Sequence, residues 1–357
     1  MLPDFLKRYR NRLLADPKFL NFAQKFLLTR PVARRKSVEL FDLLAGFSYS
    51  QVLYACVVLK VFEHVGQSTI AFEHLAEKIG LPVQKTELLV RAAIALDLLD
   101  GTLDRIILGS HGAALLGQPW IMRFVEHHKY FYRDLEDPVA MLQGKTIDGG
   151  LADYWSYDKS ASDKSAYSAL MAASQQAVST QVLQAYDFAK HKRLLDVGGG
   201  TGAFVDAVTS RHPHIEGHVF DLPGVVGPES SRFIARHSGD FRNDSLPVGM
   251  DVISIVRVLH DHDDEAVLAL LKNVRAAAGP ETILLIAEPF SGQAGTQRVT
   301  DAYFSLYFAA MGQGRTRTPK QIADLAAKAG FADAKQRSTT MPLITGLMTF
   351  KPVIPIL

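Results

Sequence analysis

The stretch Leu194-Leu-Asp-Val-Gly-Gly-Gly-Thr-Gly202 constrains this chain more than any other, because it joins a short apolar run to a cluster of four glycines. Residues 193–197 have the length and apolarity of a buried parallel strand, and glycine permits both a sharp turn and a bare backbone that a ligand can approach. A helix is expected to begin near Thr201. Gly198, Gly200 and Ala203 fit the spacing of a dinucleotide fingerprint, and Asp221 lies at roughly the 20-residue offset where an acid holds a ribose diol. The pattern predicts a nucleoside-binding strand–loop–helix–strand unit. On these residues alone a nicotinamide cofactor remains an open reading.

From residue 186 onward the sequence alternates strand and helix signals, which predicts an α/β, doubly wound, Rossmann-like sheet. Strands are expected at 193–197, 215–220, 232–237, 251–256 and 282–287, with an antiparallel pair near 333–338 and 346–350. The segment 222–231 is short for a full crossover helix. Gly239-Asp240-Phe241 places a second acid after the third strand, suited to an adenine amino group. The fourth strand leads through Arg257 to His260, and Glu288 follows the fifth. Ligands of open α/β sheets bind at the carboxyl ends of the strands, and an imidazole with an unperturbed pKa of ~6.5 suits a base at neutral pH.

The preceding half reads as a basic arm at 1–36, a helical and winged-helix domain at 37–117 and a helical connector at 118–185, with the nucleoside-binding domain at 186–357. Helices at 70–80 and 84–99 followed by a strand pair within 102–108 give the winged-helix layout. A DNA-binding regulator is therefore a competing class. The candidate recognition helix weighs against it, since Lys85 and Arg91 are offset by Glu87, Asp97 and Asp100, whereas a helix that docks phosphates is enriched in Lys and Arg. A formal net charge of +2 over 357 residues likewise supplies no broad field for nucleic acid.

One cysteine, Cys56, excludes an internal disulfide, and the twelve histidines fall into no metal-ligand spacing, so no metal is expected. The first residues lack an apolar signal core and no apolar run approaches ~18 residues, which predicts a cytoplasmic chain without a membrane span.

In this order, the glycine loop, Asp221-Leu222-Pro, Gly239-Asp240-Phe241, His260 and Glu288 resemble the S-adenosylmethionine-dependent O-methyltransferases of the plant caffeate and bacterial small-molecule type. The resemblance covers residues 40–352. Within that family, three segments resemble most the bacterial carotenoid branch, which methylates hydroxyneurosporene or demethylspheroidene: Leu28-Thr-Arg-Pro-Val-Ala-Arg-Arg35, Leu40-Phe-Asp-Leu-Leu-Ala-Gly-Phe-Ser-Tyr-Ser-Gln51 and Arg123-Phe-Val-Glu-His-His-Lys129. The resemblance implies a homodimer whose winged-helix module pairs with its copy. It implies that Gly198, Gly200, Asp221, Leu222, Asp240, Phe241 and Arg257 hold S-adenosylmethionine, that His260 is the base and that Glu288 orients it. Two departures stand out. His262 occupies a position where many plant members have tryptophan, and Gly314-Arg-Thr-Arg-Thr318 lacks a second histidine-flanking glutamate. Asp261 is expected to cap the helix that starts near Asp263.

Phe304, Tyr307, Phe308 and Met311 recur at i, i+3, i+4 and i+7, one face of a helix. Such a stripe is usually core, but the resemblance implies that this segment lies over the acceptor, so an apolar wall for a hydrophobic small molecule is an equal reading. In the arm, ten Lys and Arg face only Asp4 and Asp16 across residues 1–36 and are interleaved with Leu2, Phe5, Leu6, Tyr9, Leu13 and Leu14. That pattern predicts a basic amphipathic helix, suited either to an anionic membrane surface on the cytoplasmic side or to the dimer partner.

Overall fold

The computed structural model describes residues 3–145, 148–155, 174–226, 234–312 and 314–354. Contacts divide the chain into two compact units, one up to Glu126 and one from His127.

The first unit opens with helices Asp4–Leu14 and Pro17–Lys25, the second started by Asp16, whose side chain accepts from the Lys18 N–H. A 29-residue helix, Arg30–Val58, follows and runs straight through residues 36 and 37. By length and composition alone this helix could cross a membrane, although it also carries an exposed apolar face and a buried C-terminal end. Its charges cluster at the start, which hid its later apolar length. Cys56 and Val57 are buried in the unit's core, whereas Leu43 and Phe47 are 71% and 72% exposed. The exposed apolar face therefore lies on the middle of the helix, around Leu40–Phe47.

Helices Phe72–Ile79 and Val83–Ala95 then precede the hairpin of β1 (Leu99–Thr102) and β2 (Arg105–Leu108), and together they form the expected winged helix. The second helix stops earlier than its apolar pattern suggests. Asp97 adopts a left-handed φ of 56°, which turns the chain so that Leu99 starts a strand instead of ending a helix. Leu75, Val90, Leu99 and Ile106 are buried together.

In the second unit a seven-stranded sheet is built from β3 (Arg193–Val197), β4 (Glu216–Asp221), β5 (Ile234–Ser238), β6 (Val252–Val256), β7 (Ile283–Glu288), β8 (Phe331–Arg337) and β9 (Gly346–Pro352). The order is β5-β4-β3-β6-β7-β9-β8, parallel except where β9 pairs antiparallel with β7 and β8. Both faces are covered. One carries a core of Leu195, Ile253, Leu270, Val274 and Phe350, the other a core of Phe188, Phe204, Val208, Val252 and Leu285. This two-sided burial explains the near-continuous apolar runs of the parallel strands.

Two strands sit one residue later than expected, which puts Asp221 and Glu288 on the last positions of β4 and β7. The helix after the glycine loop begins at Ala203, because Gly202 is left-handed at φ 89°. Residues 232–233 of the expected third strand, and 165–173 of the expected helix before Tyr186, lie outside the described residues; a helix is present at 174–185. The strand order reverses at β3, between β4 and β6, and that crevice at the carboxyl ends is where open α/β sheets receive ligands.

Candidate active site

The glycine loop leaves β3 at this reversal. Gly198 and Gly200 take φ values of 73° and 59°, a region that side-chain-bearing residues rarely enter. A Cβ on Gly198 would stand 2.6 Å from the Val258 side chain, so only glycine lets the loop pass under the β6 extension. The Asp221 carboxylate accepts from the Gly200 N–H at 2.7 Å and from the Leu222 N–H at 2.7 Å, which aims it across the loop mouth. Burial raises its pKa, and the two N–H donors oppose the rise. A carboxylate at the rim of a glycine cradle suits a ribose diol. The residues present therefore fit the nucleoside end of S-adenosylmethionine.

Two further acids behave differently. Asp240 is gripped by Arg242, with Nε at 2.9 and 3.0 Å from its two oxygens and Nη2 at 2.7 Å. Hydrogen bonding to Arg242 lowers its pKa. Phe241 beside it meets the His262 ring edge-on at 5.4 Å. Asp196, inside β3, is fully enclosed and accepts from the Ser254 hydroxyl at 2.6 Å. Burial pushes its carboxyl up to about 7 despite that bond. Sequence reading passed Asp196 over as part of the strand, since a buried acid within an apolar run carries no spacing signal.

Past β6, Arg257 is left-handed at φ 58° and donates through Nη1 to the Ser174 hydroxyl at 2.8 Å. A short 3-10 turn, Leu259–Asp261, then carries His260. Glu288 reaches this turn from β7. Its Oε1 accepts from the Val258 and Leu259 N–H groups at 2.9 and 2.7 Å, and its Oε2 forms a short contact with His260 Nδ1. Both side chains are buried.

The expected cap by Asp261 is corrected. Asp263 caps the helix Asp264–Ala277 through the Ala266 N–H, while Asp261 belongs to the 3-10 turn. There its Oδ1 lies 3.2 Å from His260 Nε2, without the alignment of a hydrogen bond. Burial lowers the His260 pKa, but Glu288 and Asp261 outweigh it and the net direction is upward. An imidazole held in this way takes up a proton readily and keeps its ring orientation while doing so.

The aromatic stripe divides. Phe308 stacks on the His260 ring, centroids 4.4 Å apart at 22°, and Phe304 stacks on Phe308 at 5.6 Å. Tyr307 turns away, its hydroxyl 2.7 Å from Nε2 of the buried His127, with Phe131 5.3 Å from its ring. Burial drives His127 down to about 3, so this histidine stays neutral. Met311 is half-buried where the helix Phe304–Ala310 ends. Behind the histidine–glutamate pair a cavity lined by Pro289, Phe290 and Ile322 encloses only about 10 Å³, room for a water at most.

A doubly wound α/β sheet with a glycine loop at its reversal point and a buried histidine–glutamate pair at the ends of the neighbouring strands is the class this architecture defines. Residues 132–332 match the O-methyltransferase domain family and residues 41–107 the O-methyltransferase dimerisation domain. The chain belongs to the O-methyltransferase family. Demethylspheroidene O-methyltransferase of Cereibacter sphaeroides is 40% identical to it, over 96% of this chain and 94% of that protein. The enzyme of the same name from Rhodobacter capsulatus is 38% identical, over 94% and 88%. The structure of human N-acetylserotonin methyltransferase in complex with SAM has a TM-score of 0.76 at 24% identity, over 89% of this chain and 98% of that one. The nicotinamide and DNA-regulator readings fall with the family match.

The ion pair generates a prediction. Glu288→Gln removes the main group that raises His260, so the imidazole should ionise at a lower pH than in the wild type, read by NMR titration of the histidine ring protons. The linkage runs the same way. The wild-type stability contributed by the raised pKa is complete below the unfolded value of about 6.5, and it is lost as pH climbs through the elevated folded value. An unchanged titration in Glu288→Gln would separate the two residues functionally.

Proposed function

We propose that this O-methyltransferase acts on a hydrophobic acceptor, the tertiary 1-hydroxyl of an acyclic carotenoid such as hydroxyneurosporene or demethylspheroidene. The observation that carries the acceptor is the 40% identity to a demethylspheroidene O-methyltransferase along nearly the whole of both chains. S-adenosylmethionine is the methyl donor. When bound it supplies a methyl group on a positively charged sulfur, already electrophilic, so the protein has to align an oxygen with it and take up a proton.

Each residue then has a task. Gly198 and Gly200 admit the cofactor against bare backbone, and Asp221 bonds the ribose hydroxyls. Leu222, Phe241 and Asp240 would hold the adenine end, Asp240 offering its carboxylate to the amino group beside Arg242. Arg257 lies toward the cofactor side of the base. His260 would take the hydroxyl proton as the methyl group passes from sulfur to oxygen and S-adenosylhomocysteine leaves, and Glu288 fixes the ring and stabilises the imidazolium. A tertiary alcohol is far less acidic than imidazolium, so proton removal accompanies methyl transfer. Phe304 and Phe308 form an apolar wall beside the base, with Tyr307 and Met311 behind and beyond it. A polyene needs such a wall, whereas a charged phenolic acid needs a fixed cation.

The dimerisation domain supports a homodimer, with the Leu40–Phe47 face of the long helix as its apolar contact. The arm ahead of that domain supports a peripheral position on an anionic membrane facing the cytoplasm. Phe5, Tyr9, Phe22, Leu27 and Leu28 are exposed along it. Among the described residues its cations form ion pairs at Lys7, with Asp4, and at Arg35 and Lys36, with Glu39. Each Lys or Arg near an anionic surface contributes about 1 kcal/mol. An acceptor dissolved in the membrane would be reached there.

Incubation with labelled S-adenosylmethionine and a panel of 1-hydroxycarotenoids, phenols and hydroxyquinones tests the acceptor; the expected product is the carotenoid methyl ether, and exclusive turnover of a phenol would overturn the reading. His260→Ala should lower kcat by ~10²–10⁴ while S-adenosylhomocysteine binding stays nearly intact. Near-normal turnover would move the base elsewhere. Asp221→Ala should weaken S-adenosylhomocysteine about ten- to a hundredfold by calorimetry, because charge-assisted bonds to the ribose are lost. For the arm, co-sedimentation with anionic but not neutral liposomes is expected, sensitive to salt and abolished by deleting residues 1–36. Unchanged sedimentation of the truncated protein would reject the membrane role.

A further inference from the structure

The turn that carries His260 is held from two sides, and only one of them is Glu288. The Leu259–Asp261 turn is a single 3-10 turn, in which the Leu259 carbonyl accepts from the His262 N–H at 3.3 Å and the carbonyls beyond it turn to donors elsewhere. The segment after the aromatic helix supplies the partners. The Arg315 N–H donates to the His260 carbonyl at 2.9 Å. The Arg317 guanidinium donates through Nη1 to the Leu259 carbonyl at 2.6 Å, through Nη2 to the His262 carbonyl at 2.7 Å and through Nε to Asp264 Oδ1 at 2.8 Å. Arg317 is 3% exposed, and Asp264 balances its charge while also accepting from Arg315 at 2.6 Å. Gly314 completes the grip, since a Cβ there would stand 2.4 Å from the His260 carbonyl oxygen.

We propose that Arg317 is a positioning residue for methyl transfer: its guanidinium bridges the carbonyls on either side of His260 and fixes the direction in which the imidazole faces the acceptor. The proposal rests on His260 being the base. The geometry of the fork matters. A guanidinium presents five N–H donors in one rigid plane, so it can span Leu259, His262 and Asp264 at once, whereas the lysine ammonium is a point donor on a flexible stem. Glu288 fixes the ring through Nδ1 and the N–H groups that precede it; Arg317 fixes the carbonyls around it. With both in place the turn cannot rotate about its own axis. Misplacement of a reacting group by about 1 Å can cost on the order of 10²-fold in rate.

The test compares Arg317→Ala, Arg317→Lys and Asp264→Asn in the full-length protein, using S-adenosylhomocysteine affinity, kcat on the acceptor that turns over in the panel above, and amide hydrogen exchange of the Val258–His262 segment. Arg317→Ala should lose about 10²-fold in kcat with S-adenosylhomocysteine affinity within about twofold, and millimolar guanidinium should restore at least about tenfold of that loss. Arg317→Lys should remain at least about tenfold slow and exchange faster at 258–262, with exchange at the glycine loop unchanged. Asp264→Asn, which leaves the carbonyl bonds in place, should lose several-fold at most. If Arg317→Ala does not fold, Arg317→Lys and its exchange pattern decide. Wild-type kcat and wild-type exchange in Arg317→Lys would overturn the proposal, and so would a folded Arg317→Ala that guanidinium cannot rescue. Active His260→Ala would instead bring down the reading of the base, whereas inactive His260→Ala beside fully active Arg317 variants would sink this proposal alone.

Discussion

A buried carboxylate on the last residue of β7 organises the chemistry of this chain. Glu288 has two oxygens and three partners, the N–H groups of Val258 and Leu259 and the ring of His260. None of these partners is near it in sequence, so the bond between β6 and β7 exists only once the parallel sheet has formed. Burial of a lone carboxylate costs several kcal/mol, and here backbone donors and an imidazole offset the cost. The acid thus tethers the His260 ring to the chain just after it leaves β6 through a left-handed step at Arg257. A residue with a side chain in that conformation is strained, and strain of this kind concentrates at functional sites.

Much of the architecture was legible beforehand because its determinants are local. Glycines that need positive φ, apolar runs of five residues and acids at fixed offsets all leave marks in the sequence, and the sheet, the winged helix and the Asp221 rim follow from them. The errors came from places where one residue overrides a periodic pattern. Asp97 ends a helix without glycine or proline, Gly202 delays a helix by two residues, and Asp263 takes the capping role that its neighbour Asp261 was expected to fill. The long helix was missed as a single element, because arginines at its start break the apolar count while leaving helix propensity intact.

The candidate site was legible in part for a related reason. His260 and Glu288 stand at strand ends, positions that a sequence pattern can locate. What surrounds them is assembled from distant segments. The stacking of Phe308 on the imidazole, the neutral His127 behind Tyr307 and the Arg317 grip join residues dozens to nearly two hundred positions apart. In Gly314-Arg-Thr-Arg-Thr318 the sequence marks only a missing glutamate, yet one of its two arginines is almost fully enclosed. A buried arginine announces itself only through the carbonyls it meets, and those belong to another part of the chain.

The exposed stripe on the helix Arg30–Val58 bears on how this protein's robustness is to be understood. Leu40, Phe41, Leu43, Leu44 and Phe47 are apolar and two-thirds or more exposed on a single chain, and they fall in or beside the dimerisation domain. A second copy laid against this surface would add to its stability, since a partner that binds only the folded state contributes through mass action. Folding strength is then shared between molecules. For a dimer paired through this face, dilution would act as a mild denaturant, and a melting temperature would describe a solution at a given concentration before it described a fold.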